Sequence, residues 1–154
     1  MKSICLWQPW ATLLVTGHKK IETRKWRPLK YMGTFAIVAA KNFPDEAKEL
    51  SFEEPFASAL REIYPGLTIR QIIEKLPTGK IVGTVETTHY LPTTSISESA
   101  VGAKEIALGD FSNGRWGWYL QNPRVLTEPI PCKGKLTYWD LPEEIEKQIL
   151  EQTK

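Results

Sequence analysis

The 154-residue sequence has only two cysteines and two histidines, and these four residues are scattered along the chain. Cys5 and Cys132 are far apart, and neither His18 nor His89 has a cysteine or a second histidine at the spacing of a zinc site. No glycine-rich loop of the kind that cradles phosphate is present. We therefore expect no metal and no cofactor, and we expect both cysteines to be reduced thiols in a cytoplasmic protein.

Long apolar runs are also missing from the chain. No run approaches the roughly 20 residues needed to span a bilayer, and the first ten residues lack the apolar core of a signal peptide. The hydrophobic fraction of 42% and the charged fraction of 25% are ordinary for a globular protein. We expect one soluble, cytoplasmic domain over residues 1–154 with no membrane partner, and the sequence does not predict its oligomeric state.

The net charge is only +2, but the charges are unevenly distributed. Residues 17–41 contain seven lysines and arginines, Lys30 among them, against the single acid Glu22. Residues 42–64 reverse the balance, with six acids against two bases. A basic face built from residues 17–41 would suit the phosphates of a nucleic acid. The alternative is a solvated, lysine-rich loop without a ligand.

Six tryptophans are many for this length. Most are expected in the core, because large aromatic side chains dominate burial. Trp10, Trp26 and Trp118 are candidates for stacking on a base, since every base presents a flat π-surface. Arg115 precedes Trp116 and is a candidate for a second basic and aromatic surface, with core packing of the tryptophans as the alternative.

The hydrophobic pattern predicts an α+β domain. Strands are expected near residues 3–7, 20–25, 34–40, 80–91, 115–120 and 128–139, and helices near 11–15, within 42–76 and after 140. Within 42–76, one helix can open at Pro44, a second covers 54–64 and a third begins at Thr68. Thr68 with Gln71, and Asp140 with Glu143, have the spacing of capping boxes. Residues 92–110 show no period and are expected to be a loop with at most one weak helix. So many short strands favour a small, mixed, strongly bent β-barrel with flanking helices.

The strand over residues 20–25 carries two opposite charges. Because side chains alternate along a strand, Glu22, Arg24 and Trp26 should share one face. Lys19 lies at the junction between the preceding helix and this strand. Charges of this kind are costly to bury unpaired, so we expect Lys19, Glu22 and Arg24 to line one cleft. Mutual neutralisation of Glu22 and Arg24 is the structural alternative.

Three motifs in the first 41 residues carry a family resemblance. WQPWA at residues 7–11, GxKxxExR at 17–24 and VAAK at 38–41 resemble the opening of an ASCH domain, a member of the PUA-like superfamily. GKIVGTV at residues 79–85 and WGWYLQNP at 116–123 resemble later parts of that family. The resemblance implies a β-barrel with flanking helices, a cleft lined by Lys19, Glu22 and Arg24, and binding of RNA or a nucleotide.

One bacterial branch of that family hydrolyses the acetyl amide of N4-acetylcytidine with a lysine, a threonine and a glutamate. The resemblance places the lysine on Lys19 and the glutamate near Glu86, but Glu22 stands where the branch has threonine. The catalytic set that the resemblance implies is therefore incomplete in this chain.

Three functions remain open. In the first, the protein binds RNA or a modified nucleotide, with Lys19, Arg24 and Arg115 holding phosphate and a tryptophan stacking on a base. In the second, it is a small hydrolase of a nucleoside amide or an RNA phosphodiester that uses Lys19, Glu22 and Glu86. In the third, its acidic helices bind another protein.

Overall fold

The computed structural model describes residues 1–27 and 31–154. Within them, six strands form one sheet: β1 (Lys2–Leu6), β2 (Ile21–Arg24), β3 (Gly33–Ala39), β4 (Lys80–Pro92), β5 (Trp116–Pro131) and β6 (Tyr138–Asp140). Their order across the sheet is β2-β5-β4-β3-β1-β6. Only the β1–β3 pair is parallel among the described strand pairs. The sheet curls strongly into a half-barrel, which confirms the predicted α+β class and bent barrel.

Helices flank this sheet: α1 (Trp10–Val15), α2 (Asp45–Leu50), α3 (Phe56–Ile63), α4 (Ile69–Lys75), α5 (Glu98–Val101), α6 (Ala103–Ala107) and α7 (Glu143–Gln152). The capping box of α4 is confirmed, because Thr68 Oγ1 accepts from the Gln71 amide at 3.2 Å and Gln71 Oε1 accepts from the Thr68 amide at 2.9 Å. The box predicted for α7 is wrong. That helix starts after Pro142 without a side-chain cap, and Asp140 instead pairs with Lys2 at 2.8 Å.

Two segments are more regular than their sequence suggests. Residues 92–110 hold a 3-10 turn (Thr93–Ser95) and the short helices α5 and α6, where a loop was expected. Strand β5 runs unbroken to Pro131 despite its prolines. It pairs along its length with β4, whereas β2 pairs only with residues 116–119. Among the described strands, the later part of β5 is therefore an edge, where proline is tolerated.

Helix α1 packs directly on the sheet, and this contact sets the position of the site. A Cβ atom added to Gly83 of β4 would lie 2.1 Å from the Arg124 carbonyl oxygen and 2.7 Å from Val15 of α1. Only glycine leaves room for the β5 backbone and the Val15 side chain of α1 so close to β4. The helix is also apolar on its buried side, with Leu13 and Leu14 almost fully buried. The end of α1 is thereby fixed above the first strands of the barrel.

The predicted basic face is only partly covered by the described residues. Lys20, Lys25, Arg27 and Lys41 are exposed, and Lys30 lies outside the described residues. Within residues 1–27 and 31–154, no helix combines the length and the apolar character needed to cross a bilayer.

Candidate functional site

A cavity of about 590 Å³ opens between the end of β1, helices α1 and α3, the start of β2 and the chain after α6. Its volume is within the range of small-molecule sites. We call it the cleft. Aromatic, charged and small residues share its wall, and the principal ones are Trp7, Trp10, Lys19, Glu22, Thr23, Arg24, Phe56, Gly109, Asp110 and Arg115. The structure thus brings Lys19, Glu22, Arg24, Trp10 and Arg115 together, and leaves Trp26, Trp118 and Glu86 outside the cleft wall.

The turn from α1 to β2 directs Lys19 inward. At the start of α1, the buried Gln8 side chain accepts from the Thr12 amide at 3.1 Å. The helix ends at Gly17, whose φ of +79° is the left-handed conformation that glycine adopts readily at helix ends. The Lys19 amide then donates to the Leu13 carbonyl at 3.0 Å, which folds the chain back against α1. The charged motif is therefore placed by local sequence.

Lys19 is almost completely buried, with 2% of its surface exposed. Its Nζ donates to the Ile21 carbonyl, lies 3.5 Å from Glu105 Oε2, and sits 5.6 Å from the centre of the Phe111 ring. Burial lowers the pKa of Lys19, and the negative charges of Glu22 and Glu105 oppose this shift. A lowered pKa increases the fraction of the neutral amine, which is the form that acts as base or nucleophile.

Glu105 is a member of the site that sequence reasoning missed. Its Oε1 accepts from the Lys20 amide at 2.9 Å and its Oε2 from the Ile21 amide at 3.2 Å. The carboxylate therefore holds the start of β2 and neutralises Lys19 from behind the cleft. It belongs to α6, in the segment expected to be a loop. A lone acid in a stretch without a period gives no sequence signal for such a role.

Glu22 and Arg24 share a strand face, as predicted, and form an ion pair. Arg24 Nε donates to Glu22 Oε2 at 3.0 Å, and the Thr23 amide donates to Glu22 Oε1 at 3.1 Å. Arg24 Nη2 also donates to the Cys5 carbonyl of β1 at 2.8 Å. Because β1 and β2 are not paired as strands, this bond links two strands across the open side of the half-barrel.

Arg115 is held in place at the mouth of the cleft. Its Nη2 donates to the Thr23 carbonyl at 2.9 Å, its Nε to Thr23 Oγ1 at 3.3 Å, and its Nη1 lies 3.6 Å from Asp110 Oδ2. Hydrogen bonds from Ser112 lower the pKa of Asp110, and Arg115 adds to this shift. Lys19, Arg24 and Arg115 thus face Glu22 and Asp110, so the charge of the cleft wall is close to balance.

Two tryptophans line the cleft in different ways. Trp7 is 52% exposed at its rim. Trp10 is fixed, because its Nε1 donates to the Leu108 carbonyl at 2.8 Å and its ring meets Phe56 edge-to-face at 5.8 Å. Trp7 was part of the WQPWA motif, but nothing in the sequence distinguished it as the exposed member of the pair.

Two predicted site residues have other roles. Trp118 is completely buried, with the half-buried Trp26 ring 5.0 Å away, so the structure corrects the prediction that Trp118 stacks on a ligand. Glu86 accepts from Asn122 at 2.8 Å and from Gln121 at 3.0 Å, and these bonds lower its pKa. Both oxygens are engaged by residues of β5, and Glu86 does not line the cleft.

One cysteine lines the cleft, and the described residues contain no group of metal-ligating side chains. Cys5 lines the cleft and Cys132 does not, and burial raises the pKa of both thiols. In the part of the chain that the structure describes, no three potential metal-ligating side chains come together. The chemistry available in the cleft is therefore that of a buried lysine, two carboxylates, two guanidinium groups and aromatic rings.

Comparison with known proteins gives consistent matches over nearly the whole chain. The sequence profile of the family described as ASCH domain matches residues 4–148. Activating signal cointegrator 1 of Homo sapiens is 26% identical over 152 residues, which cover 96% of this chain and 24% of that protein. The Mus musculus protein of that name is 25% identical over the same length and shares. The chain spans about a quarter of the length of these curated relatives.

A solved structure shares the fold. The crystal structure of ASCH from Zymomonas mobilis superposes with a TM-score of 0.55 at 13% sequence identity, covering 97% of this chain and 93% of that one. At this identity the likeness concerns the fold alone.

Proposed function

Since the chain belongs to the ASCH domain family, we propose that its cleft binds RNA or a modified nucleotide. The observation that carries the proposal is the composition of one wall. The exposed Trp7 ring and the guanidinium groups of Arg24 and Arg115 border the same space of about 590 Å³. Stacking surfaces next to phosphate-binding groups are the combination that single-stranded nucleic acids require.

Each group has a distinct part in this proposal. Trp7 stacks on the base, because it is the exposed aromatic side chain at the rim. Arg115 binds phosphate, since Thr23 and Asp110 already hold its guanidinium in one orientation. Glu22 accepts from an exocyclic amino group, which is the base-edge contact typical of a carboxylate.

The charge of the cleft predicts how salt affects binding. When the logarithm of affinity is plotted against the logarithm of salt concentration, each phosphate neutralised on a single strand contributes about −0.7 to the slope. Phosphate contacts from the two guanidinium groups of the cleft and from one exposed lysine or arginine nearby would give a slope of roughly −2. Binding should therefore weaken about a hundredfold for each tenfold rise in salt concentration.

The test compares two exposed aromatic residues. Trp7 lines the cleft and is 52% exposed, whereas Phe52 is 55% exposed and lies outside the cleft wall. Trp7→Ala should weaken binding of a labelled RNA hexanucleotide by about 1–3 kcal/mol, the usual contribution of one base stack. Phe52→Ala should leave it unchanged. The measurement is fluorescence anisotropy over a salt series. Absence of wild-type binding at low salt, or equal effects of both variants, would contradict the proposal.

A second candidate, hydrolysis of a nucleoside amide or an RNA phosphodiester, is favoured by one observation. The amine of Lys19 is buried beside Glu22 in the cleft, and its pKa is lowered. The neutral form of such an amine acts as a base or nucleophile, and a lowered pKa makes that form more accessible. Glu86 takes no part in this version of the proposal, because it lies outside the cleft wall.

The hydrolase candidate is tested with N4-acetylcytidine and with RNA. We expect binding without rapid turnover. Fast hydrolysis that Lys19→Met abolishes, and that the exposed-lysine control Lys147→Met retains, would make hydrolysis the function. Lys19→Arg is not a conservative control here. Lys19 is 2% exposed and Gly109 packs so closely that an added Cβ would lie 2.8 Å from Nζ, so a larger guanidinium would have to displace its neighbours.

A further inference from the structure

We propose that a second base of a bound RNA strand rests on a surface formed by Arg27, Tyr90 and Trp116, beside the cleft. This inference rests on the proposed function and extends it from one nucleotide to a continuous strand. We call the surface the rim platform. None of its three residues lines the cleft itself.

The side chains of Arg27 and Tyr90 both pack against Trp116. The Arg27 guanidinium carbon lies 5.7 Å from the centre of the Trp116 ring. On Trp116, Tyr90 packs edge-to-face with ring centres 5.6 Å apart at 79°. Trp116 and Tyr90 are half-buried, whereas Arg27 is exposed. An exposed guanidinium supported by an indole offers a flat cationic surface, on which bases stack in RNA complexes.

The rim platform is continuous with the cleft through the β2–β5 ladder. Arg24, which lines the cleft, is the direct cross-strand partner of Trp116. Opposite residues of an antiparallel pair share a face, with Cβ atoms about 4.5–5.5 Å apart. Arg115, at the mouth of the cleft, directly precedes Trp116 in the chain. A strand with one nucleotide in the cleft therefore reaches the rim platform with the next.

Charge selects an anionic strand as the occupant. Lys25 is exposed two residues before the exposed Arg27 of the platform, and Arg24 and Arg115 line the cleft. This arrangement places cations where the phosphates on either side of the stacked base would lie. An acidic protein segment would satisfy the charges but would have no use for the stacked rings.

The first experiment varies ligand length. Affinities are measured for cytidine 5′-monophosphate and for a cytidine hexanucleotide, whose bases carry the exocyclic amino group proposed to donate to Glu22, using wild type, Arg27→Ala and a control, Arg61→Ala, on the exposed side of α3. We expect Arg27→Ala to weaken hexanucleotide binding about fivefold or more and to reduce the salt slope by about 0.7. Its affinity for the monophosphate should match that of wild type. Arg61→Ala should behave as wild type with both ligands.

A second variant tests the ring. Trp116→Leu should weaken the hexanucleotide about fivefold or more, and Trp116→Phe, which keeps a flat ring, should recover most of the loss. If Trp116→Leu does not fold, the hexanucleotide affinities of Arg27→Ala and Trp116→Phe test the inference instead. The inference is overturned if the hexanucleotide binds no tighter than the monophosphate, or if Arg27→Ala weakens both ligands equally. It is also overturned if an acidic peptide, and not RNA, depends on Arg27.

The two proposals fail in different ways. Loss of wild-type binding to both ligands would refute the proposed function, and the rim platform would fall with it. Monophosphate binding that depends on Trp7, without any contribution from Arg27 or Trp116, would refute the rim platform alone.

Discussion

Replacing Lys19 by methionine tests the central electrostatic feature of the site. Methionine keeps an unbranched side chain of similar length and removes the charge. The Glu105 carboxylate keeps its bonds from the Lys20 and Ile21 amides, so the start of β2 remains held. The variant thus changes the titration of one buried amine with little change to the surrounding backbone contacts.

The expected effect is a change in how stability depends on pH. In the unfolded chain Lys19 stays protonated up to its ordinary pKa of 10.5, whereas burial lowers its pKa in the folded protein. Between the lowered pKa and 10.5 the unfolded state binds more protons, so the free energy of unfolding rises with pH. The contribution of one group is at most about 1.4 kcal/mol per pH unit. Below and above this window it is flat.

Urea unfolding, followed by tryptophan fluorescence between pH 7 and 10.5, measures this slope. Burial raises the pKa of Tyr31 and Tyr64, which gives a slope of opposite sign, but both tyrosines are present in wild type and variant. Subtracting the two profiles therefore isolates Lys19. Lys147→Met, at an exposed position of α7, should follow wild type. Equal slopes for wild type and Lys19→Met would show that Lys19 keeps its proton in the folded protein, and the reasoning from burial would be refuted.

Three further substitutions test the fold that supports the site, each by urea unfolding at pH 7. Gly83→Ala should destabilise by about 1–3 kcal/mol or more through overpacking, because its Cβ would lie 2.1 Å from the Arg124 carbonyl oxygen of β5 and 2.7 Å from the Val15 side chain of α1; a neutral result would mean that neither β5 nor α1 packs tightly against β4 at this position. Thr68→Ala should cost about 1 kcal/mol by removing the α4 cap, and Thr68→Ser should restore it. Gln152→Ala should cost about 1 kcal/mol, since its amide makes hydrogen bonds of 3.0 and 2.9 Å with the amide and carbonyl of Glu128; an unchanged midpoint would show that this edge of β5 needs no cover.

The part of the site between α1 and β2 could be predicted because its determinants are local. Gly17 ends α1 and the alternation of β2 places Glu22 and Arg24 on one face, and both features were readable from neighbouring residues. Their ion pair, at 3.0 Å, needs only a separation of two residues on a strand. Lys19 was placed at the junction for the same reason.

The residues assigned wrongly are those whose surroundings come from distant parts of the chain. Alternation showed that Glu22 and Arg24 share a face, but not that Trp118, the cross-strand partner of Glu22, is fully buried. For Glu86, an unusual acid in a strand suggested chemistry, whereas the fold supplies two amide partners from β5. Pairing and curl, rather than local pattern, decide these environments.

The sequence by itself determined the class of fold, the helix-to-strand turn and the charged motif of β2, because each depends on preferences within a few residues. Only the tertiary structure decided that Glu105 neutralises Lys19, that Trp7 and Arg115 border the same cleft, and that Trp116 lies next to Arg24. Glu105 and the Lys20 amide are 85 positions apart in sequence and 2.9 Å apart in the fold. Burial, which lowers the pKa of Lys19, is likewise a property of the assembled core and not of the residues beside it.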